Sequence, residues 1–200
     1  MPCEGALPSC AYFILGGNAI LILYLTEGGD SILCIWNPDL QSVTELDCAT
    51  LDYYYPTSVS SNGRWALVID IPAESYPNVN VGHAFDLVAR AEGNRFEDTS
   101  DVACFVPNTD TVVLGHNGSL CMCDVLSGSV LLDMGIDAKG LEQIAVSEDG
   151  ATVVALKWPT RHGRAQLVHV WTSEGMNLAI SVGVFGYIDL SPDGWNSEAQ

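Results

Sequence analysis

Four histidines are the residues of this chain best suited to move a proton, and they stand far apart: His83, His116, His162 and His169. A hydrolase needs a nucleophile with a base beside it, and no Gly-x-Ser-x-Gly elbow supplies one. His169 alternates with Val168 and Val170, which reads as a packed strand residue. His116 falls in a hairpin turn open to water, and His83, just before Phe85-Asp86, is placed to hydrogen-bond within its own sheet. Carboxylates gather at Glu97, Asp98 and Asp101. Calcium needs several oxygens converging in turn geometry; the Asp-x-Asp-x-Asp-Gly pattern is absent, and a solvated connecting loop is expected here. The seven cysteines, Cys3, Cys10, Cys34, Cys48, Cys104, Cys121 and Cys123, include no Cys-x-x-Cys pair, so the usual zinc spacing is missing. Cys121 and Cys123, two apart on an expected strand, share a face. An odd count without a framework reads as reduced, buried thiols in a cytoplasmic protein. No catalytic residue, metal site or cofactor is expected.

The segment best suited to recognition is Lys157-Trp158-Pro159-Thr160-Arg161-His162-Gly163-Arg164, which holds three of the seven basic residues. In a chain of formal net charge −18 it is the one local reversal of sign. Arginine and tryptophan are frequent interface anchors, so Trp158, Arg161, His162 and Arg164 are candidate partner-binding residues. A second segment, Ala73 to Asn80, carries Tyr76 near its tip and joins them. The competing reading is a variable loop that balances an acidic surface. The same charge argues against nucleic acid, since phosphate contacts need Lys and Arg, and against anionic membrane surfaces. The acid excess serves solubility or forms a docking face for a basic partner. The apolar stretch Ala11 to Leu25 is shorter than the roughly 20 residues of a membrane helix and is broken by Gly16-Gly17-Asn18.

What positions these loops is a repeat. A small polar turn between apolar strands recurs as Leu15-Gly16-Gly17-Asn18, Ser60-Ser61-Asn62-Gly63, Pro107-Asn108-Thr109-Asp110, Ser147-Glu148-Asp149-Gly150 and Ser191-Pro192-Asp193-Gly194. Successive phrases end 40 to 47 residues apart. The clearest unit reads Val102–Val106, Thr111–Gly115, Leu120–Asp124 and Ser129–Asp133 as four strands. The expected class is all-β, a β-propeller in which each four-stranded sheet buries both faces against its neighbours.

The third unit resembles the WD40 repeat: a turn acid or amide, Gly, Ser or Thr, alternating apolar residues, then a pair in the place of Trp-Asp. Cys123-Asp124 holds that place here, Trp36-Asn37, Phe85-Asp86 and Trp171-Thr172 in the other units. No unit has a Gly-His pair before its first strand. The approximate units are 10–47, 54–98, 101–134 and 141–182, with a partial unit 184–200: about four blades and the first strand of a fifth, expected to belong to a larger ring. Trp36 and Trp171 are expected on third strands, buried between neighbouring blades. The resemblance implies a non-catalytic scaffold that binds other proteins, or further blades of the same parent chain. In WD40-like blades the loop between second and third strands opens on the face that commonly receives partners, and both candidate segments fall in such loops. Two alternatives remain: an enzymatic propeller completed by missing blades, and a sensor or autoinhibitory propeller attached to a NACHT-type ATPase. A Gly-rich phosphate loop ending in Lys-Ser/Thr is absent from this segment.

Overall fold

Runs of Val, Ile and Leu between short polar turns form strands throughout the computed structural model, which describes residues 7–26, 31–46, 54–70, 80–157, 166–174, 177–182, 190–191 and 194–195. Strands β1 (Leu7–Ile14), β2 (Ala19–Leu25), β3 (Ser31–Asn37) and β4 (Ser42–Glu45) make an antiparallel sheet in sequence order. A seven-stranded sheet follows: β5 (Tyr54–Val59), β6 (Trp65–Asp70), β7 (Asn80–Asp86), β8 (Ala91–Phe105), β9 (Thr111–His116), β10 (Ser119–Asp124) and β11 (Val130–Asp137). The third sheet holds β12 (Leu141–Val146), β13 (Thr152–Lys157), β14 (Gln166–Thr172) and β15 (Asn177–Val182), and a short hairpin of β16 (Leu190–Ser191) and β17 (Gly194–Trp195) comes last. The described residues contain no α-helix.

The seven-stranded sheet corrects one expectation. Glu97, Asp98 and Asp101 lie inside the continuous strand β8 and not in a connecting loop. The first part of β8 pairs with β7 and its last part with β9, and Thr99 faces Asn80 on one side and His116 on the other. The register shifts between Thr99 and Ala103, and Asp98 takes a left-handed φ of 49°. A bulge of this kind bends and twists a strand, so one strand serves the second repeat unit and then the third.

Alternation explains the stacking. On β6, Ala66 and Val68 join Phe85 and Leu87 against Leu21, Leu23, Leu33 and Ile35 of the first sheet. Trp65, Leu67 and Ile69 point the other way, towards Val112, Leu114, Cys121 and Cys123. On β9, Val113 belongs with Leu120, Met134 and Ile136 against Val153 and Ala155 of β13. Val154 and Leu156 face onward with Val168. Burial of one such side chain contributes about 1.5–3 kcal/mol, against roughly 0–1 kcal/mol for an exposed ion pair, so these inter-sheet cores dominate. β1 lies beside β5, β5 beside β8, and β8 beside β12, which brings the first strand of each unit to one inner side, as in a propeller. Trp171 packs as expected against the core between β9–β11 and the third sheet. Trp36 does not: its alternating partners Ile20 and Val43 mark the flank of the first sheet turned away from the second, and it is half-buried there.

Two of the recurring phrases, at Ser60 and at Ser147, repeat the same bonds. Ser60 Oγ donates to Asn62 Oδ1 at 2.7 Å and accepts from Trp65 N at 2.8 Å, while Asn62 Oδ1 accepts from Arg64 N at 2.9 Å. Ser147 Oγ donates to Asp149 Oδ1 at 2.6 Å and accepts from Thr152 N at 2.9 Å, while Asp149 Oδ1 accepts from Ala151 N at 2.9 Å. The place of the Trp-Asp pair is equally regular: Asn37, Asp86, Asp124 and Thr172 each end the third strand of their unit. Asp86 Oδ1 accepts from Val88 N and Ala89 N at 2.9 Å, and Asp124 Oδ1 accepts from Ser127 N at 2.7 Å. These carboxylates close the following turn, as Asx side chains do.

Candidate functional site

Antiparallel order fixes where the loops emerge. Turns after first and third strands share one end of the stack; loops after second strands, and the links between units, share the other. The segment 71–79 leaves β6 and re-enters at β7, and 158–165 leaves β13 and re-enters at β14, so both insertions spring from the second end. Tyr76, Trp158, Arg161, His162 and Arg164 themselves lie outside the described residues.

The stems of these loops are described. Lys157, the last residue of β13, donates from Nζ to Asp137 O at 2.7 Å and Asp137 Oδ2 at 2.8 Å. The lysine hydrogen bond comes first among the causes that hold the Asp137 carboxyl below its ordinary range. The charge of Lys157 is therefore engaged at the stem, and the reversal of sign in this segment rests on Arg161 and Arg164. At the other stem, Asp70, His83, Glu92 and Arg95 form a network across β6, β7 and β8. His83 is 3% exposed, its Nδ1 lies 2.7 Å from Glu92 Oε1, and its Nε2 lies 4.0 Å from Asp70 Oδ2. Glu92 also accepts from Arg95 Nε at 2.7 Å and Nη2 at 3.2 Å. The Arg95 bonds, opposed by burial and helped by His83, keep the Glu92 carboxyl low. Both ring nitrogens of His83 face carboxylates, an arrangement that ties three strands together, as the expectation of a bond within its own sheet required.

The other proton carriers are also structural. His116 is half-buried and donates from Nδ1 to Glu97 O at 2.7 Å, with its ring edge-on to Phe96; it is anchored to β8 and not simply open to water. His169 sits half-buried on β14, where burial lowers its proton affinity. Cys121 and Cys123 share the core between β6–β8 and β9–β10. Burial, then the neighbouring Cys121, pushes the Cys123 thiol up to about 12, far from a reactive thiolate.

One feature escaped the sequence. Between β7, the bulge of β8 and the link from β11 to β12 lies an open cleft of about 390 Å³, with Asn80, Asp98, Asp101, Gly118 and Lys139 on its walls. Asn80 Nδ2 donates to Asp101 Oδ1, and Ser100 Oγ accepts from Gly115 N at 2.9 Å and donates to Val102 O at 2.8 Å. A Cβ at Gly115 would approach Ser100 and Ala138 to 2.7 Å, so glycine is required for this close approach. The only available signal was a glycine inside an otherwise branched strand. The cleft opens on the same end as the two insertions and offers groups of both signs. Among the described residues no group of three His, Cys, Asp or Glu side chains is placed to hold a metal ion. The arrangement suits polar recognition and contains no nucleophile–base pair.

No family model matches the chain and no curated protein matches it. Among the solved structures that share its fold are two at 14% identity: the hydrazine synthase of Kuenenia stuttgartiensis, with a TM-score of 0.66 over 92% of this chain and 52% of that one, and TolB from Acinetobacter baumannii, with a TM-score of 0.59 over 94% of this chain and 47% of that one. The chain thus spans about half the length of these structures. The likeness shows an all-β, propeller-like fold.

Proposed function

We propose that this chain is a WD-type β-propeller segment acting in the cytoplasm as a non-catalytic platform for other proteins. The observation that carries this reading is the assignment of its reactive side chains to structure. His83, His116, Asp86, Asp124 and Asp149 close turns or link strands, and the described thiols of Cys104, Cys121 and Cys123 are raised by burial. The innermost strands β1, β5 and β12 and the last part of β8 carry no His, Lys or Arg, which speaks against a catalytic centre at the axis. What remains for recognition is the loop end, with the polar cleft of Asn80, Asp98, Asp101 and Lys139 beside the stems of two insertions.

In this reading Arg161 and Arg164, flanking Gly163 near Trp158, steer an acidic segment of the partner and anchor it. A truncated hot spot costs roughly 2 kcal/mol or more, and electrostatic steering weakens with salt. The test is affinity capture followed by a binding titration with the captured partner, comparing the parent chain with the Arg161→Glu/Arg164→Glu double variant. The reading expects partner recovery to fall sharply in the variant and with rising salt, while circular dichroism stays unchanged. Equal recovery from both proteins returns the segment to a solvated loop.

A further inference from the structure

The dipeptide Asn-Gly occurs twice in the chain, at Asn62-Gly63 and at Asn117-Gly118, and the fold holds the two differently. At the first, the side-chain carbonyl is pinned: Asn62 Oδ1 accepts from Ser60 Oγ at 2.7 Å and from Arg64 N at 2.9 Å. The backbone nitrogen that follows is pinned too, since Gly63 N donates to Ser60 O at 2.8 Å. Asn117 and Gly118 form the exposed turn between β9 and β10. Their φ angles of 50° and 79° are both left-handed, as a tight hairpin of this kind requires. Asn117 Nδ2 donates to His116 Nε2 at 2.9 Å. Among the described residues, however, no donor reaches Asn117 Oδ1 and Gly118 N finds no acceptor. A Cβ at Gly118 would meet no atom within 4 Å, so this turn has room to rearrange.

We infer that Asn117 is a site of spontaneous deamidation in the folded protein, and that Asn62 is protected from the same reaction. Gly118 N attacks Asn117 Cγ. The new C–N bond closes a cyclic imide, and the Cγ–Nδ2 bond breaks. The proton from Gly118 N passes through water to the departing nitrogen, which leaves as ammonia. A water molecule then opens the imide at one of its two carbonyls, giving aspartate or isoaspartate; nothing is oxidised or reduced. Glycine favours the attack because no Cβ crowds its nitrogen. The bonds that resist closure at Asn62 lie on the two groups that must meet. At Asn117 they lie on the leaving nitrogen and on the far carbonyl, where Gly118 O accepts from Ala138 N at 3.0 Å. Gly118 lines the cleft, so the product sets either a new carboxylate or an extra backbone methylene at that wall. The inference is independent of the interaction platform, because the modification is read without a partner.

Incubation of the whole chain in mildly alkaline buffer, followed by peptide mapping in the mass spectrometer with fragmentation that distinguishes isoaspartate, tests it. Deamidation at Asn117 should run at least about tenfold faster than at Asn62. In urea, which removes the hydrogen bonds at both turns, the two rates should converge. Ser60→Ala releases one bond from Asn62 Oδ1 and should speed the reaction at Asn62 while leaving the rate at Asn117 as it was. Equal rates at the two sites in the folded chain overturn the inference, as does a gap that persists in urea. So does a Ser60→Ala variant whose Asn62 reacts no faster than in the parent chain.

Discussion

Trp65 and Asp110 stand 45 residues apart and are joined by a 2.8 Å hydrogen bond from the indole Nε1 to the carboxylate Oδ1. The separation is one repeat, so the bond ties the first turn of one unit to the first turn of the next. Arg64 reinforces it: its guanidinium lies 3.0 Å from Asp86, 3.9 Å from Asp110 and 5.1 Å from the centre of the Trp65 ring. Two further bonds run alongside, from Asn108 N to Ser61 Oγ at 2.9 Å and from Phe105 N to Ser58 Oγ at 3.2 Å.

If this bond helps set the angle between units, Asp110→Ala should lower stability by about 1–2 kcal/mol, since a hydrogen bond to a charged group contributes roughly 1.5–3 kcal/mol and this carboxylate is partly screened by water. Trp65→Phe keeps most of the ring and loses the donor. In a double-mutant cycle followed by urea unfolding, the pair should couple by about 1 kcal/mol. Strict additivity would mean that the two turns are held by the cores alone.

Gly150 offers a sharper comparison. It has a φ of +71°, and a Cβ there would come within 2.8 Å of Val106 Cγ1. Gly140 has a φ of +73° with nothing near it. Gly140→Ala should cost only the left-handed backbone, about 1–2 kcal/mol. Gly150→Ala should cost a further 1 kcal/mol or so for displacing a packed side chain. Equal unfolding midpoints for the two variants would show that Val106 yields freely.

How much of this was legible follows local chemistry. The turn phrases were readable because Ser, Asn and Asp bond to their own backbone within a few residues, as Ser60 and Ser147 do. The ends of third strands were readable for the same reason at Asn37, Asp86 and Asp124. β8 was not: Glu97, Asp98 and Asp101 carry loop composition, and only pairing with β7 on one side and β9 on the other makes them strand. The cleft was hidden too, since Asn80, Asp98 and Lys139 meet only after two units stack. The alternating pattern marks both flanks of a sheet as apolar but does not say which has a neighbour, and that decided the fate of Trp36.

Trp36 and Trp171 hold equivalent places in sequence, and in sequence terms alone both replacements should be equally damaging. The structure separates them. Trp171 packs against the core that joins β9–β11 to the third sheet, so removing it opens a cavity between two units. Complete burial would cost about 3–5 kcal/mol for Trp→Ala; a half-buried ring should give about 2–3 kcal/mol. Trp36 lies on the open flank of the first sheet beside Ile20 and Val43, where its replacement removes contacts with its own sheet only, about 1 kcal/mol. Thermal unfolding of the two variants at low protein concentration should therefore show the larger drop for Trp171→Ala. A larger loss at Trp36 than at Trp171 would place a neighbouring sheet on that flank within the same chain.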